Sequence, residues 1–278
     1  MRRVIGWEDL ATAMNLTPGG SGSILTLGVF DGLHRGHQRL LAAAERLAHA
    51  AGLRRIHVGF TPHPDLLIRG AAPAKLLEGE EVELRLAHAG VDIWCDLPFT
   101  VDLRDTPWEI FLERLVRTTL AKGIVLSPES AFGQGRQGTL ANVRAWGAIR
   151  GLQVHPVAEV RAGGAPISST RIREMISAGD LTGAARLLGR PYALVGDLHG
   201  DQVRLPTRDV AVPPPGLYRA RVGLAGRPAG RLPLVGRLTS VHIAPDGQTL
   251  RLSRTNHLDP RLTGGTVRVA ILGEGLQA

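Results

Sequence analysis

From residue 23 onward, short apolar runs alternate with longer stretches of helical period. "SILTLGVF" (23–30) is strand-like and runs into Asp31-Gly32. In "HQRLLAAAERLAHAAG", Leu40, Leu41, Ala44, Leu47, Ala48 and Ala51 recur at helical spacing, and Gly52 supplies the stop. "RRIHVGF" (54–60) predicts the next strand, "EEVELRLAHAG" a helix ending at Gly90, and "VDIWCDL" another strand. Thr106 and Pro107 are expected to open the helix "WEIFLERLVRTTL", as N-cap and first helical residue. The strand "GIVLS" (123–127), a helix over "TLANVRAWGAIR" and the strand "LQVHPV" complete the series. Strands alternating with helices predict a doubly wound α/β domain with a parallel sheet, whose ligands bind at the carboxyl ends of the strands.

After about residue 190 the pattern changes. "RPYALVGDL", "VRL", "GLYRARV", "LTSVHI", "TLRLSR" and "TVRVAIL" are short strands between glycine- and proline-rich turns, with no helical period. They predict a small antiparallel β-barrel or sandwich. The expected division is a domain over 1–188 and a second over 189–278, and a length of 278 residues suits two domains.

Composition narrows the function classes. Hydrophobic residues at 44% allow a proper core. The net charge is +8, and among the basic residues Lys75 and Lys122 are the two lysines. The arginines are scattered and aromatics are only 4%, which argues against nucleic acid and leaves phosphorylated small molecules as the anionic partners. The single cysteine, Cys95, gives no disulfide framework and fits a reducing cytoplasm. "MRRVIGWEDLATAMNL" lacks the uninterrupted apolar centre of a signal peptide, and no stretch is long enough for a bilayer, so no membrane partner is expected.

The chemistry concentrates in two places. In "GVFDGLHRGH" (28–37), His34 and His37 stand where a strand ends and a helix begins. Unpaired N–H groups and the helix dipole favour anions there, and Gly28 and Gly32 allow close backbone approach. Two imidazoles can donate to one phosphate as its charge grows. A metal pair, or ordinary loop histidines, would look the same at this level, and Asp31 could be a simple turn residue or cap. In "PISSTRIREMI" (166–176), Ser168, Ser169 and Thr170 begin a helix with Arg171 and Arg173 in its first turn. Hydroxyls there serve as caps, but two arginines oppose the dipole, an arrangement reasonable where they meet polyphosphate. Two such helix starts point to a nucleotide-dependent phosphoryl or nucleotidyl transferase.

"GVFDGLHRGH", "GFTPHP" (59–64), "FGQGRQG" (132–138), "ISSTRIR" (167–173) and "LLGRPYALVG" (187–196) follow one another in an order that resembles the bifunctional bacterial riboflavin kinase/FAD synthetases. Cytidylyltransferases and pantetheine-phosphate adenylyltransferases share the two-histidine core. Phe-Asp-Gly ahead of it, with "ISSTRIR" and "LLGRPY", is more specific to the FAD synthetases. The resemblance spans the chain, strongly to about residue 196. It implies a Rossmann-like nucleotidyltransferase domain that transfers AMP from ATP to FMN with Mg²⁺, releasing pyrophosphate and forming FAD. It also implies that His34 and His37 stabilise the α-phosphate transition state and that Ser168, Thr170 and Arg171 hold the leaving phosphates. Ser169 and Arg173 would assist them, and Gly28, Phe30, Asp31 and Gly32 would shape the nucleotide pocket. Phe60, Pro62, His63 and Phe132 would lie on the flavin side.

The chain departs from the family at three places. Where members carry Gly-x-Asp/Asn-Phe-x-Phe-Gly, this chain has "SPESAFG" (127–133), with Ser127, Glu129 and Ser130 in the replaced positions. The kinase signature Pro-Thr-Ala-Asn is here "LPTRDV" (205–210): Pro206 and Thr207 remain, while Arg208 and Asp209 replace the last two. Thr207 and Asp209 would be the metal residues if the kinase module worked. The family's general-base glutamate aligns with "TLRLSRTNHL" (249–258), where Arg251 takes its place, and a cation cannot remove a proton from riboflavin. Glu274 or Asp246 is the alternative base. The expectation is an FMN adenylyltransferase with a degenerate kinase barrel. The competing readings are a paralogue using another phosphorylated acceptor or CTP, and a non-catalytic flavin- or nucleotide-binding regulator.

Overall fold

The computed structural model describes residues 1–16, 22–225, 237–253, 262 and 264–274. Two compact units are interleaved along the chain: residues 1–30, 36–73 and 85–161 form one, and 31–35, 74–84 and 162–278 the other. Among the described residues no helix is long and apolar enough to cross a membrane.

Up to Pro156 the chain runs β1 (Arg2–Ile5), α1 (Gly6–Leu16), β2 (Ser23–Leu27), α2 (Arg35–Ala51), β3 (Arg54–Thr61), α3 (Pro64–Arg69), α4 (Glu80–His88), β4 (Ile93–Pro98), α5 (Val101–Asp105), α6 (Trp108–Thr119) and β5 (Ala121–Leu126). A small hairpin of β6 (Ala131–Phe132) and β7 (Gly138–Thr139), then α7 (Leu140–Arg150) and β8 (Gln153–Pro156), follow. The main sheet has the order β1-β4-β3-β2-β5-β8, and every pairing is parallel. Its inner strands β2, β4 and β5 are buried on both faces, as apolar runs without polar alternation require, while the edge strands β1 and β8 are largely exposed. Ile24 and Val125 pack on Ala43, Ala44 and Ala48 of α2. Their neighbours Leu25, Ile124 and Leu126 face the larger core, with Leu10, Phe111, Leu112, Leu115, Val143 and Trp146 from α1, α6 and α7. The doubly wound expectation is met. Strand order reverses at β2, so the crevice between the ends of β2 and β5 is the switch point where ligands of such sheets bind.

One cap differs from expectation. The N-cap of α6 is Pro107, with Trp108 as first helical residue. Thr106 instead closes the short helix before it, its hydroxyl donating to the Asp102 carbonyl at 2.6 Å. A second helix lying directly upstream was invisible in "VDLRD", five residues without a period to read.

Beyond Pro156 the chain makes a hairpin of β9 (Arg161–Ala162) and β10 (Ala165–Pro166), α8 (Ser169–Ser177) and α9 (Leu181–Leu188), and then strands alone. These are β11 (Tyr192–His199), β12 (Gln202–Arg204), β13 (Gly216–Leu224), β14 (Arg237–Ile243), β15 (Thr249–Leu252) and β16 (Thr266–Glu274). They close into a barrel in the order β11-β12-β15-β14-β13-β16, antiparallel throughout. Period-two burial fills it: Tyr192, Leu194 and Leu198 of β11 alternate with outward neighbours, as do Tyr218, Ala220 and Val222 of β13. In the same unit the segment 74–84 lies along the barrel. Lys75 bridges to Val210, and the nearly buried Glu81 carboxylate receives the Arg268 guanidinium.

Candidate functional site

Gly28, Val29 and Phe30 leave the end of β2 at the switch point, and Gly28 N–H donates to the Val58 carbonyl at 3.0 Å. Gly28 has φ 144°, and a Cβ there would stand 3.4 Å from the Phe30 ring. That ring is one layer of a stack. His37, in the first turn of α2, lies over it at 4.3 Å with the planes 8° apart, and His57 of β3 lies against it at 4.2 Å. His57 is 2% exposed, and its Nδ1 is 3.1 Å from the Thr26 hydroxyl. Burial pushes the His57 pKa down to about 3, so the ring is neutral. The aromatic plane of Phe30 thus sets the orientation of His37. Sequence reasoning missed His57, although a lone histidine inside the apolar strand "RRIHVGF" was the available signal.

The next residues form a tight turn. Asp31–Leu33 is one turn of 3₁₀ helix in which Gly32 has φ 74° and Leu33 φ 42°. Left-handed backbone at a leucine costs about 1 kcal/mol, so its surroundings must hold it. Gly32 is buried, and a Cβ there would come within 2.9 Å of Leu76 and 3.4 Å of Leu188. Packing and φ therefore demand this glycine, where close approach of a ligand was the expected reason. His34 follows, 5% exposed; burial first, and the Arg190 charge second, lower its pKa to about 4.

Within the same unit this turn is bound to the start of α8, more than a hundred residues away. Ser168 is the N-cap, its Oγ accepting from Arg171 N–H at 3.3 Å. Ser169 Oγ donates to the Asp31 carbonyl at 3.0 Å. Arg173 Nη2 donates to Asp31 Oδ2 at 2.6 Å and Nε to the Ala74 carbonyl at 2.6 Å, while Asp31 Oδ1 accepts from Leu76 N–H at 2.9 Å. Asp31 and Arg173 were expected beside the nucleotide; their side chains are committed to each other. Arg171 donates from Nη1 to the carbonyls of Ala162, Ala165 and Pro166, at 2.8, 3.2 and 3.3 Å, and so anchors the β9–β10 hairpin to α8. Thr170 is exposed on the first turn of that helix.

Residues 18–171 match the FAD synthetase family. The chain belongs to this family. A bifunctional riboflavin kinase/FMN adenylyltransferase of Pseudomonas fluorescens is 32% identical over 225 residues, covering 77% of this chain and 72% of that protein. The enzyme of the same name from Escherichia coli K12 is 30% identical over 254 residues, 87% of this chain and 80% of its own. Among solved structures, the one titled macrolide-efflux protein from Streptococcus pneumoniae aligns with a TM-score of 0.80 over 98% of each chain at 23% identity, a likeness of fold alone.

The remaining residues that the sequence singled out fall into two groups. On the flavin side, Phe60 and Phe132 join one aromatic cluster through Phe111, with centroids 6.3 and 5.7 Å apart, and Phe99 meets Phe60 at 5.7 Å. Pro62 follows a cis peptide bond and is exposed. His63 is the N-cap of α3, its Nδ1 accepting from Asp65 N–H at 3.1 Å, so its imidazole already has a structural task. In the altered loop, Ser127 and Ser130 close a turn on themselves: Ser130 Oγ accepts from Ser127 N–H at 2.9 Å. That leaves Glu129 exposed, its pKa raised by hydrogen bonding and repulsion from Glu159.

In the barrel, Thr207 Oγ1 donates to Glu78 at 3.3 Å, and the Asp209 carbonyl accepts from Lys75 N–H at 2.5 Å. Asp246 closes the β14–β15 turn, accepting from Gln248 N–H, Thr249 N–H and Thr249 Oγ1; these bonds lower its pKa to about 2, far from that of a base. Arg251 points outward from β15, and the Glu274 side chain and residues 254–258 lie outside the described residues. No group of three or more metal-ligating side chains occurs among the described residues. Magnesium at such a site would be held chiefly by substrate phosphates, since that ion needs few protein ligands.

Proposed function

We propose that this chain is an FMN adenylyltransferase whose riboflavin kinase activity is weak or lost. An FMN phosphate oxygen attacks the α-phosphorus of ATP, the bond to the β-phosphate bridging oxygen breaks, and pyrophosphate leaves as FAD forms. No side-chain nucleophile is required, so the protein contributes positioning and charge stabilisation. His34 and His37 donate to the α-phosphoryl oxygens. Ser168, which uses its oxygen as acceptor, keeps its O–H for the leaving phosphates, together with Thr170 and the rest of the Arg171 fork. Asp31, Ser169 and Arg173 hold the turn before His34 to the start of α8. Magnesium carried by the ATP phosphates would supply neutralisation of their charge. Transfer belongs to residues 1–188 and the degenerate kinase-like barrel to 189–278, in a cytoplasmic protein that acts on small molecules.

One observation supports this reading above the others: Ser169 and Arg173 are both bonded to Asp31, across 138 and 142 residues of sequence, which ties the "DGLH" turn to "ISSTRIR". Incubation with Mg-ATP and FMN, followed by product mass analysis, should yield FAD and pyrophosphate. His37→Ala should cost about 10²–10³-fold in kcat. Absence of FAD from the wild-type protein refutes the proposal.

A second reading rests on the "SPESAFG" loop, where an exposed Glu129 stands in place of a family residue on the flavin side. It holds that the acceptor is another phosphorylated molecule, or the donor CTP. The same assay with a panel of acceptors and nucleoside triphosphates separates the two: efficient turnover of FMN with ATP removes it.

A further inference from the structure

The role of Arg190 goes beyond its place in "LLGRPY". Its guanidinium donates from Nη2 to the Gly32 carbonyl at 2.6 Å, and from Nη1 to the carbonyls of Leu33 and Leu188, both at 3.3 Å. The first two belong to the left-handed pair, with φ 74° and 42°, that immediately precedes His34. Carbonyls on such a turn cannot join the ladder of α2, and a planar fork with five donors is the side chain suited to gathering several of them. The third is the last residue of α9. Arg190 is itself held firmly: its own N–H donates to the Ala185 carbonyl at 3.1 Å behind the left-handed Gly189 cap. Two residues on, the buried Tyr192 hydroxyl donates to the Ala211 carbonyl.

We infer that Arg190 is a positioning residue for the transfer reaction: it fastens the strained turn before His34 to the end of α9 and the first barrel strand, and so fixes where that imidazole points. The inference rests on the adenylyltransferase reading above. The charged groups about this turn are Arg35, next to His34 in the chain, Asp31 with its partner Arg173, Glu78 near Tyr192, and Arg190. Arg190 is the charge that acts on the His34 ring, in the same direction as burial.

The test combines NMR titration of the His34 imidazole with steady-state FAD formation in wild type, Arg190→Lys and Arg190→Gln. In the wild type, His34 should titrate near 4, and in Arg190→Gln its pKa should rise but stay below the ordinary histidine value, because burial is the larger cause and remains. Arg190→Lys keeps the charge but cannot span three carbonyls. Its titration should stay low while kcat falls by about 10–100-fold, with KM for ATP changed less than threefold, as expected of misplacement rather than lost binding. A His34 pKa that is the same in Arg190→Gln as in the wild type overturns the inference. So does an unchanged kcat in both variants. If the wild-type protein makes no FAD, the functional reading fails on its own, and the titration still decides whether Arg190 governs His34.

Discussion

The Asp31–Arg173 pair joins the two halves of the site and can be tested as a unit. Its side chains are 11% and 16% exposed and the atoms are 2.6 Å apart. At that separation and an effective dielectric constant of about 20, the attraction is about 6 kcal/mol, much of it offset by desolvation. Breaking one side of a buried pair costs about 3–5 kcal/mol, because the other charge is left behind; the residual exposure here brings this to about 2–4 kcal/mol. Asp31→Asn keeps an acceptor for Leu76 N–H and removes the charge opposite Arg173. For a chain of this size, the loss translates to a fall of about 3–7 °C in Tm. Arg173→Met should cost a similar amount, because it strands Asp31. The double variant should be far less destabilised than the sum, with a coupling energy of about 1–3 kcal/mol. The assay is thermal denaturation of the four proteins by circular dichroism, with FAD formation measured alongside; each single variant should lose more kcat than affinity. Additive effects within 0.3 kcal/mol, or a Tm for Asp31→Asn within 1 °C of wild type, would refute the claim that this pair holds the two motifs together.

Acid should weaken the fold through its neutral histidines. His57 has a folded pKa near 3, so between pH 6.5 and that value the unfolded chain binds a proton that the folded chain refuses, and stability falls as pH falls. From pH 6.5 to 5 the loss is about 2 kcal/mol, and His57→Phe should flatten that slope in Tm against pH; an unchanged slope counts against a buried neutral ring. Gly32→Ala places a Cβ within 2.9 Å of Leu76 on left-handed backbone, and should cost about 2–4 kcal/mol from strain and overpacking, read as a fall in the denaturant midpoint. With riboflavin and Mg-ATP but no FMN, neither FMN nor FAD should form. FMN detected by mass would show that the Thr207 loop and Arg251 do not disable the barrel.

Periodicity sufficed for the inner strands of the parallel sheet, which are buried on both faces, and for α2, α4, α6 and α7, because burial there is written into residue spacing; the edge strand β1, where only Val4 is buried, and helices α1 and α3 were not read. The barrel was equally legible from strands of period two. Helix starts were readable too: Ser168 caps α8 as its position in "ISSTR" required. Resemblance of several motifs in one order supplied the family. What local pattern could not convey was which polar groups spend their bonds on one another. Arg173 and Arg171 look like phosphate ligands in a sequence, yet the first is tied to Asp31 and the Ala74 carbonyl, and one nitrogen of the second to three hairpin carbonyls. Gly32 looks like room for a ligand and is room for Leu76. His57 beneath Phe30, and Arg190 behind His34, act through contacts 27 and more than 150 positions apart in the chain. Spacing along the backbone determines which face a residue occupies; only the closed fold decides which partner meets it there, because that depends on where distant segments bring their carbonyls, rings and charges.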